Sequence, residues 1–247
     1  MDENLNWNAH RQALATKISR NAGILYKLRG TIPSHVLQTL YYSFVQSHLC
    51  FCPSVWGLGS KNSLAKIFSA QKKAIRGIAK GYSNYYFKKD TGELPSHTKN
   101  TFNEHGFLTV HNLIYYQTMT SMSKIYRNIA PKVICNMFTK NDRNVTALGH
   151  TTRQKTIGFF MINRTKLVSQ DKTIFNKGPR LFNELTTRVN KIITEENSLL
   201  RDKKHHQPLL QNKFTDSFKS KIKSHILSQQ KLGGQNWTPE NTILYLN

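Results

Sequence analysis

Apolar residues recur at three- and four-residue spacing along much of the chain, the period of an amphipathic helix. Between Leu5 and Gly30, one face collects Leu14, Ile18, Asn21 or Ala22, Leu25 and Leu28. Gly30 is a natural stop. A second helix is expected over Thr31 to Leu49. Pro33 suits its first turn, where a missing N–H costs nothing. Leu37, Leu40, Phe44 and His48 follow at helical spacing, flanked by Tyr41, Tyr42 and Val45. This stretch is almost uncharged, so it is expected to be the buried member of a three-helix bundle. The third helix carries Leu64, Ile67, Phe68, Gln71, Ile75 and Ile78 on one face, with Lys66, Lys72, Lys73, Arg76 and Lys80 filling much of the rest. Ser63 or Asn62 can cap it and Gly81 can end it. Pro53, Gly57 and Gly59 break the chain before it, and Trp56 is large enough to lock that loop onto whatever it covers.

Further on the pattern loosens. Residues 83–106 read as a connector, with turns marked by Asp90, Gly92, Pro95 and Ser96. Leu108 to Asn128 reads as a helix whose stripe runs through Leu113, Met119 or Gln117, Met122, Ile125 and Tyr126. Its methionines read as core filler. Pro131 to Phe138 gives a short helix. The period then shortens to that of a strand over Thr156 to Ile162, and Lys172 to Asn176 reads as another short strand. Pro179 can start a helix. Glu195 to Asn212 reads as a polar loop. Phe214, Phe218, Ile222 and Ile226 define an amphipathic helix with Lys213, Lys219, Lys221 and Lys223 opposite. Residues 228–247 are expected to be a mobile tail. The expected fold is therefore mainly α. A three-helix bundle spans 5–82, and a second helical region spans 107–227 with a few short strands near 156–176.

Charge changes the picture most. Lys and Arg number 36 against 13 Asp and Glu in 247 residues, a formal net charge of +23. Such a field favours polyanions, nucleic acid first and an anionic membrane surface second. From Asn4 to Lys89 there is no acid at all. A solvated helix surface normally mixes signs to gain ion pairs between turns. The acid-free run is thus read as a phosphate-binding face, with ordinary surface lysines as the bland alternative. Tyr82, Tyr85, Tyr86 and Phe87 lie beside Lys80, Lys88 and Lys89. They can stack on bases while the cations hold phosphates, or pack against the bundle. No uncharged run is long enough to cross a bilayer. Arg11, Lys17 and Arg20 interrupt the first apolar run, so no signal peptide is read. Cys50, Cys52 and Cys135 make no disulfide framework. The nucleus or cytoplasm is the expected location, and the sequons at Asn144, Asn163 and Asn236 carry little weight.

Catalytic chemistry is not legible. The adjacent acids are Asp2-Glu3 and Glu195-Glu196, with Asp90 and Glu93 isolated. None of these is the carboxylate pair that holds two metal ions for nucleotide transfer. His48, Cys50 and Cys52 are spaced too tightly for a structural zinc site. His205-His206 reads as loop polarity. No catalytic residue, metal or cofactor is assigned.

Several short strings carry a resemblance by their order and spacing. They are Leu5-x-Trp7-x-x-His10, Lys17-Ile18-Ser19-Arg20, Gly23-Ile24-Leu25-x-Lys27-Leu28-Arg29 and Tyr41-Tyr42-Ser43, followed by His48-Leu49-x-x-Cys52 and Val55-Trp56-Gly57. Gln71-Lys72-Lys73-Ala74-Ile75-Arg76, Thr152-Arg153-Gln154 and Gly178-Pro179-Arg180-Leu181-Phe182-Asn183-x-Leu185 continue the series. Together they resemble the region after the catalytic palm in reverse transcriptases of non-LTR, LINE-type retrotransposons, the jockey-like groups above all. Phe182 stands where that family usually has Trp. The resemblance implies a polymerase thumb, a small helical bundle that holds template–primer duplex. It also implies that Cys52 packs beside Trp56. The family's palm and its catalytic aspartates have no matching positions, so this chain alone is expected not to polymerise.

Duplex holding through the phosphate backbone is the function implied. Arg20, Lys27, Lys72, Lys73 and Arg76 are the leading contacts, with Arg153, Lys155 and Arg180 behind them. The partners implied are RNA or an RNA–DNA duplex, and the palm and fingers region of the same polymerase. A free-standing basic RNA- or DNA-binding module is the alternative, as is a structural protein of a ribonucleoprotein particle.

Overall fold

Asn8–Leu28 forms helix α1 in the computed structural model, burying Arg11, Leu14, Ala15, Ile18, Ala22 and Leu25 along one face. The structure describes residues 7–58, 61–78, 98–140, 159–162, 173–184 and 208–232. The chain divides into two units, one of Met1–Tyr115 with Ile226–Asn247 and one of Tyr116–His225. The protein is mainly α, as its periodicity implies.

In the first unit, Pro33 is extended and leads into α2 (Ser34–Tyr41). A π-helical turn, Tyr42–Gln46, follows, and then α3 (Ser47–Cys50). The π-turn decides which residues go inside. Its wider winding fits one extra residue into the turn and moves the buried stripe. Leu37, Tyr41, Val45 and Leu49 are all fully buried, whereas Phe44 is 39% exposed. The expected stripe of Leu37, Leu40, Phe44 and His48 therefore holds only at its first position. Nor is this segment the buried member of the bundle.

That place goes to the basic helix α5 (Lys61–Ile78), which follows the short α4 (Pro53–Trp56). Leu64, Ile67, Phe68, Ala70, Gln71, Ala74, Ile75 and Ile78 are all buried on it. The run of small Ala70, Ala74 and Gly77 widens the apolar face and lets α1 come close. A Cβ added to Gly77 would stand 3.2 Å from the Tyr26 amide nitrogen. At the other end Lys66 Nζ donates to Gln12 Oε1 at 2.9 Å. The pairing of early with early and late with late residues makes α1 and α5 parallel.

The expected connector contains a helix, α6 (Thr98–Glu104), which buries Thr98, Thr101 and Phe102. Helix α7 (Val110–Tyr126) follows. The Gln71 side chain joins these parts. Its amide nitrogen donates to Leu108 O at 2.9 Å and to Tyr41 Oη at 3.0 Å, and its oxygen accepts from the Val110 N–H at 2.8 Å. A side-chain amide thus replaces the partner strand that the backbone at 108–110 lacks. Burial pushes the Tyr41 hydroxyl pKa well up.

The second unit contains α8 (Lys132–Asn136) and α9 (residues 174–184). The expected strand at Lys172 to Asn176 is not one, because residues 174–176 open α9. Pro179 lies inside that helix and is buried, not at its start. The reason is packing: a Cβ on Gly178 would meet Met122 Sδ at 2.8 Å, so α9 seats its glycine on α7. Of the expected strand at 156–162, the described part makes a single bridge, Lys140 with Phe160.

Helix α10 (Pro208–Leu232) begins inside the expected loop of 195–212 and runs into the expected tail. Residues 228–232 are helical, and Gln230 is fully buried. Gln230 Nε2 donates to Asn103 Oδ1 at 3.1 Å and to Phe107 O at 3.2 Å, while its oxygen accepts from Asn112 Nδ2 at 2.7 Å. No helix among the described residues is long and apolar enough to cross a membrane.

Candidate nucleic-acid interface

The cations of the acid-free run divide into those used by the fold and those left in water. Arg11 belongs to the fold. Its guanidinium is 7% exposed and grips the Trp56 carbonyl through Nε at 2.8 Å and an Nη at 2.6 Å. Asn8 Oδ1 accepts a third bond at 3.2 Å. Burial pushes the Arg11 pKa down. Trp56 is 2% exposed and its indole N–H donates to Phe51 O at 2.7 Å. Trp56 therefore locks its loop as expected, with Arg11 as the catch. Cys52 is exposed and holds a left-handed turn with φ 44° ahead of α4.

Arg20 and Lys27 lie on the opposite side of α1 from Ile18 and Leu25. The reason is the helical period: two turns separate them, and both point away from the buried face. Both are exposed, and neither has a hydrogen bond or ion pair among the described residues. Lys73 is also exposed and unpaired among the described residues. It stands one turn before Gly77, where α5 touches α1. Among the described residues from Trp7 to Thr98 there is no acid. Among the described residues, no acid competes with an external anion for these three charges.

Lys72 and Arg76 are half-buried and partly committed. Lys72 Nζ sits 4.7 Å over the Phe68 ring. Burial, and then the neighbouring Arg76, lower its pKa. The Arg76 guanidinium donates to Thr98 Oγ1 at 3.2 and 3.3 Å, which fastens α5 to α6. Arg180 is half-buried on α9 and already engaged. Arg153 and Lys155 lie outside the described residues. The expected contacts therefore do not form one equivalent set.

Lys17 was part of the acid-free run but carried no assignment. It is exposed on α1 and lies near His48, whose pKa is lowered by burial and then by the Lys17 charge. Its position could have been read from the period, since it precedes Arg20 by one turn. Arg29 was also passed over. Its guanidinium stacks 3.9 Å from the Tyr26 ring centroid.

Among the described residues no three His, Cys, Asp or Glu side chains gather to hold a metal ion. Gly178, Phe182 and Asn183 of the resembling motif have clear packing duties. Phe182 is buried against Tyr126, Phe159 and Phe160. Asn183 donates to Phe160 O at 2.8 Å and accepts from the Phe160 N–H at 3.1 Å. No family model, curated protein or solved structure matches the chain.

Proposed function

We propose that the first unit grips an RNA–DNA or RNA duplex by its phosphate backbone, as the resemblance to a retrotransposon thumb implies. One observation carries this reading: Arg20, Lys27 and Lys73 stand exposed and unpaired among the described residues, on helices without a described acid. Phosphate contacts of this kind position a duplex and do not read bases. Three such contacts correspond to a log–log salt slope of about 2.7 on duplex DNA, at about 0.9 per phosphate.

The test is charge reversal. Arg20, Lys27 and Lys73 changed together to Glu should abolish most of the affinity for RNA–DNA hybrid and flatten its salt dependence. The loss should be nearly equal for unrelated base sequences. Lys219, Lys221 and Lys223 changed to Glu remove the same charge from α10, where Lys219 already pairs with Asp216 at 2.8 Å. That variant should lose much less. Equal losses would mean a diffuse field and would overturn the reading.

The proposed role has no chemical step. Purified chain should incorporate no nucleotide on a primed template with Mg²⁺ or Mn²⁺, because the sequence offers no carboxylate pair. Incorporation that is abolished by Asp90→Ala would refute this.

A further inference from the structure

Phe44 is exposed for a reason built into the backbone. A continuous α-helix from Ser34 to Cys50 would bring Phe44 round to the Leu37 face. The π-turn at Tyr42–Gln46 puts Val45 there and turns Phe44 outward, 39% exposed. Single π-turns within helices recur at functional sites. The neighbouring Tyr42 is as exposed, at 42%, but its ring also packs edge-on against Phe107 at 5.6 Å.

What surrounds Phe44 is set by α1. Asn21 Nδ2 donates to the Phe44 carbonyl at 2.5 Å, which fixes the π-turn to that helix. Lys17, Arg20, Asn21 and Ile24 tile one flank of α1 at spacings of three and four. Ile24 is 45% exposed, and Lys17 and Arg20 are exposed beside it. The seam thus combines an outward ring, an apolar neighbour, two cations and, among the described residues, no acid. A nucleic-acid base offers a flat apolar face next to a negative phosphate, and aromatic–cation surfaces of this kind bind unpaired bases.

We infer that Phe44 stacks on an unpaired base while Lys17 and Arg20 hold the adjoining phosphates. The first unit would then prefer a duplex end with a single-stranded overhang to uniform duplex. This inference rests on the phosphate-gripping reading and names its substrate more narrowly.

The experiment uses the full chain and three fluorescent probes: a blunt RNA–DNA hybrid, the same hybrid with a short single-stranded overhang, and that overhang made abasic. Wild type should bind the overhang probe tightest, the abasic overhang next through its phosphates, and the blunt hybrid weakest. Phe44→Ala should lose roughly five- to hundredfold on the overhang probe, the worth of one stacked base. It should leave blunt-hybrid binding unchanged. Phe44→Trp keeps a ring, so it should retain the preference, and its added fluorescence should be quenched by the overhang probe alone. Equal binding of the three probes by wild type, or an equal loss on all of them in Phe44→Ala, would overturn the inference and leave phosphate gripping standing. Failure of wild type to bind any probe would sink the parent reading as well. A shift from dimer to monomer in Phe44→Ala, with unchanged overhang binding, would assign the ring to a second copy of the chain and reject the stacking site.

Discussion

In the first unit, backbone without a regular partner is held by polar side chains. Arg11 grips Trp56, Gln71 grips Leu108 and Val110, and Gln230 grips Phe107. Among the described residues of the second unit, aromatic rings cluster together. Tyr126, Phe138, Phe159, Phe160, Phe175 and Phe182 contact one another at centroid distances of 4.8 to 6.3 Å. Asn183 adds one amide clasp on Phe160. The two devices fail differently. A polar clasp is specific, and removing it strands a buried donor or acceptor. A ring cluster spreads its energy over many contacts and readjusts when one member changes.

The largest effect should come from Trp56. Its ring is buried and donates to Phe51, and its backbone carbonyl is the one that Arg11 grips. Trp56→Ala should cost about 3–5 kcal/mol in denaturant unfolding. Unchanged unfolding would show that Arg11 alone secures the α4 loop.

Gln71→Leu comes next, because it conserves volume and removes only the clasp. Leu108 O, Val110 N and Tyr41 Oη would each lose a partner. At the low end of about 1 kcal/mol for each buried group left unpaired, the three together should cost about 3 kcal/mol, no more than Trp56→Ala. Hydrogen exchange at the Val110 amide should speed up more than exchange inside α1. In the second unit, Phe182→Leu trims a ring without stranding any polar group. It should cost less than about 1.5 kcal/mol and leave the Phe160 amide protected, because Asn183 still holds it. If Phe182→Leu costs more than Gln71→Leu, the contrast between clasps and rings is wrong.

The two devices also differ in how far they can be read from sequence. Helices α1, α5 and α7 follow from apolar spacing, because burying one face requires only the 3.6-residue period. Gln71 sat on the apolar face of α5 by that same period, but its backbone partners at 108–110 lie far along the chain. Gln230 fell in an expected tail for the same reason: its three partners are more than a hundred residues away. The π-turn left no mark in composition, so Phe44 was placed inside. For the candidate site, charge and the absence of acids pointed to α1 and α5. They did not separate Lys73 from Lys72 and Arg76, which the fold partly commits.

The smallest effect concerns a turn that both units contain. A left-handed residue precedes α4 at Cys52, with φ 44°, and another follows α7 at Asn128, with φ 58°. Asn tolerates that conformation, because its short polar side chain can bond locally. Cys has no such compensation, and the left-handed region costs an ordinary residue about 1–2 kcal/mol. Cys52 is exposed, so its thiol fills no cavity. Its carbonyl accepts the Val55 N–H at 3.0 Å, a backbone bond that substitution leaves in place. Cys52→Gly removes the strain and adds chain entropy to the unfolded state, which offsets about 0.5–1 kcal/mol. The net gain should be roughly 0.5–1 kcal/mol, seen as a higher denaturant midpoint at constant slope. Cys52→Val should move the midpoint the other way, because a branched Cβ fits a positive φ worst. If Cys52→Gly instead destabilises the protein, the thiol contributes to packing at Trp56 after all, as the family resemblance implied.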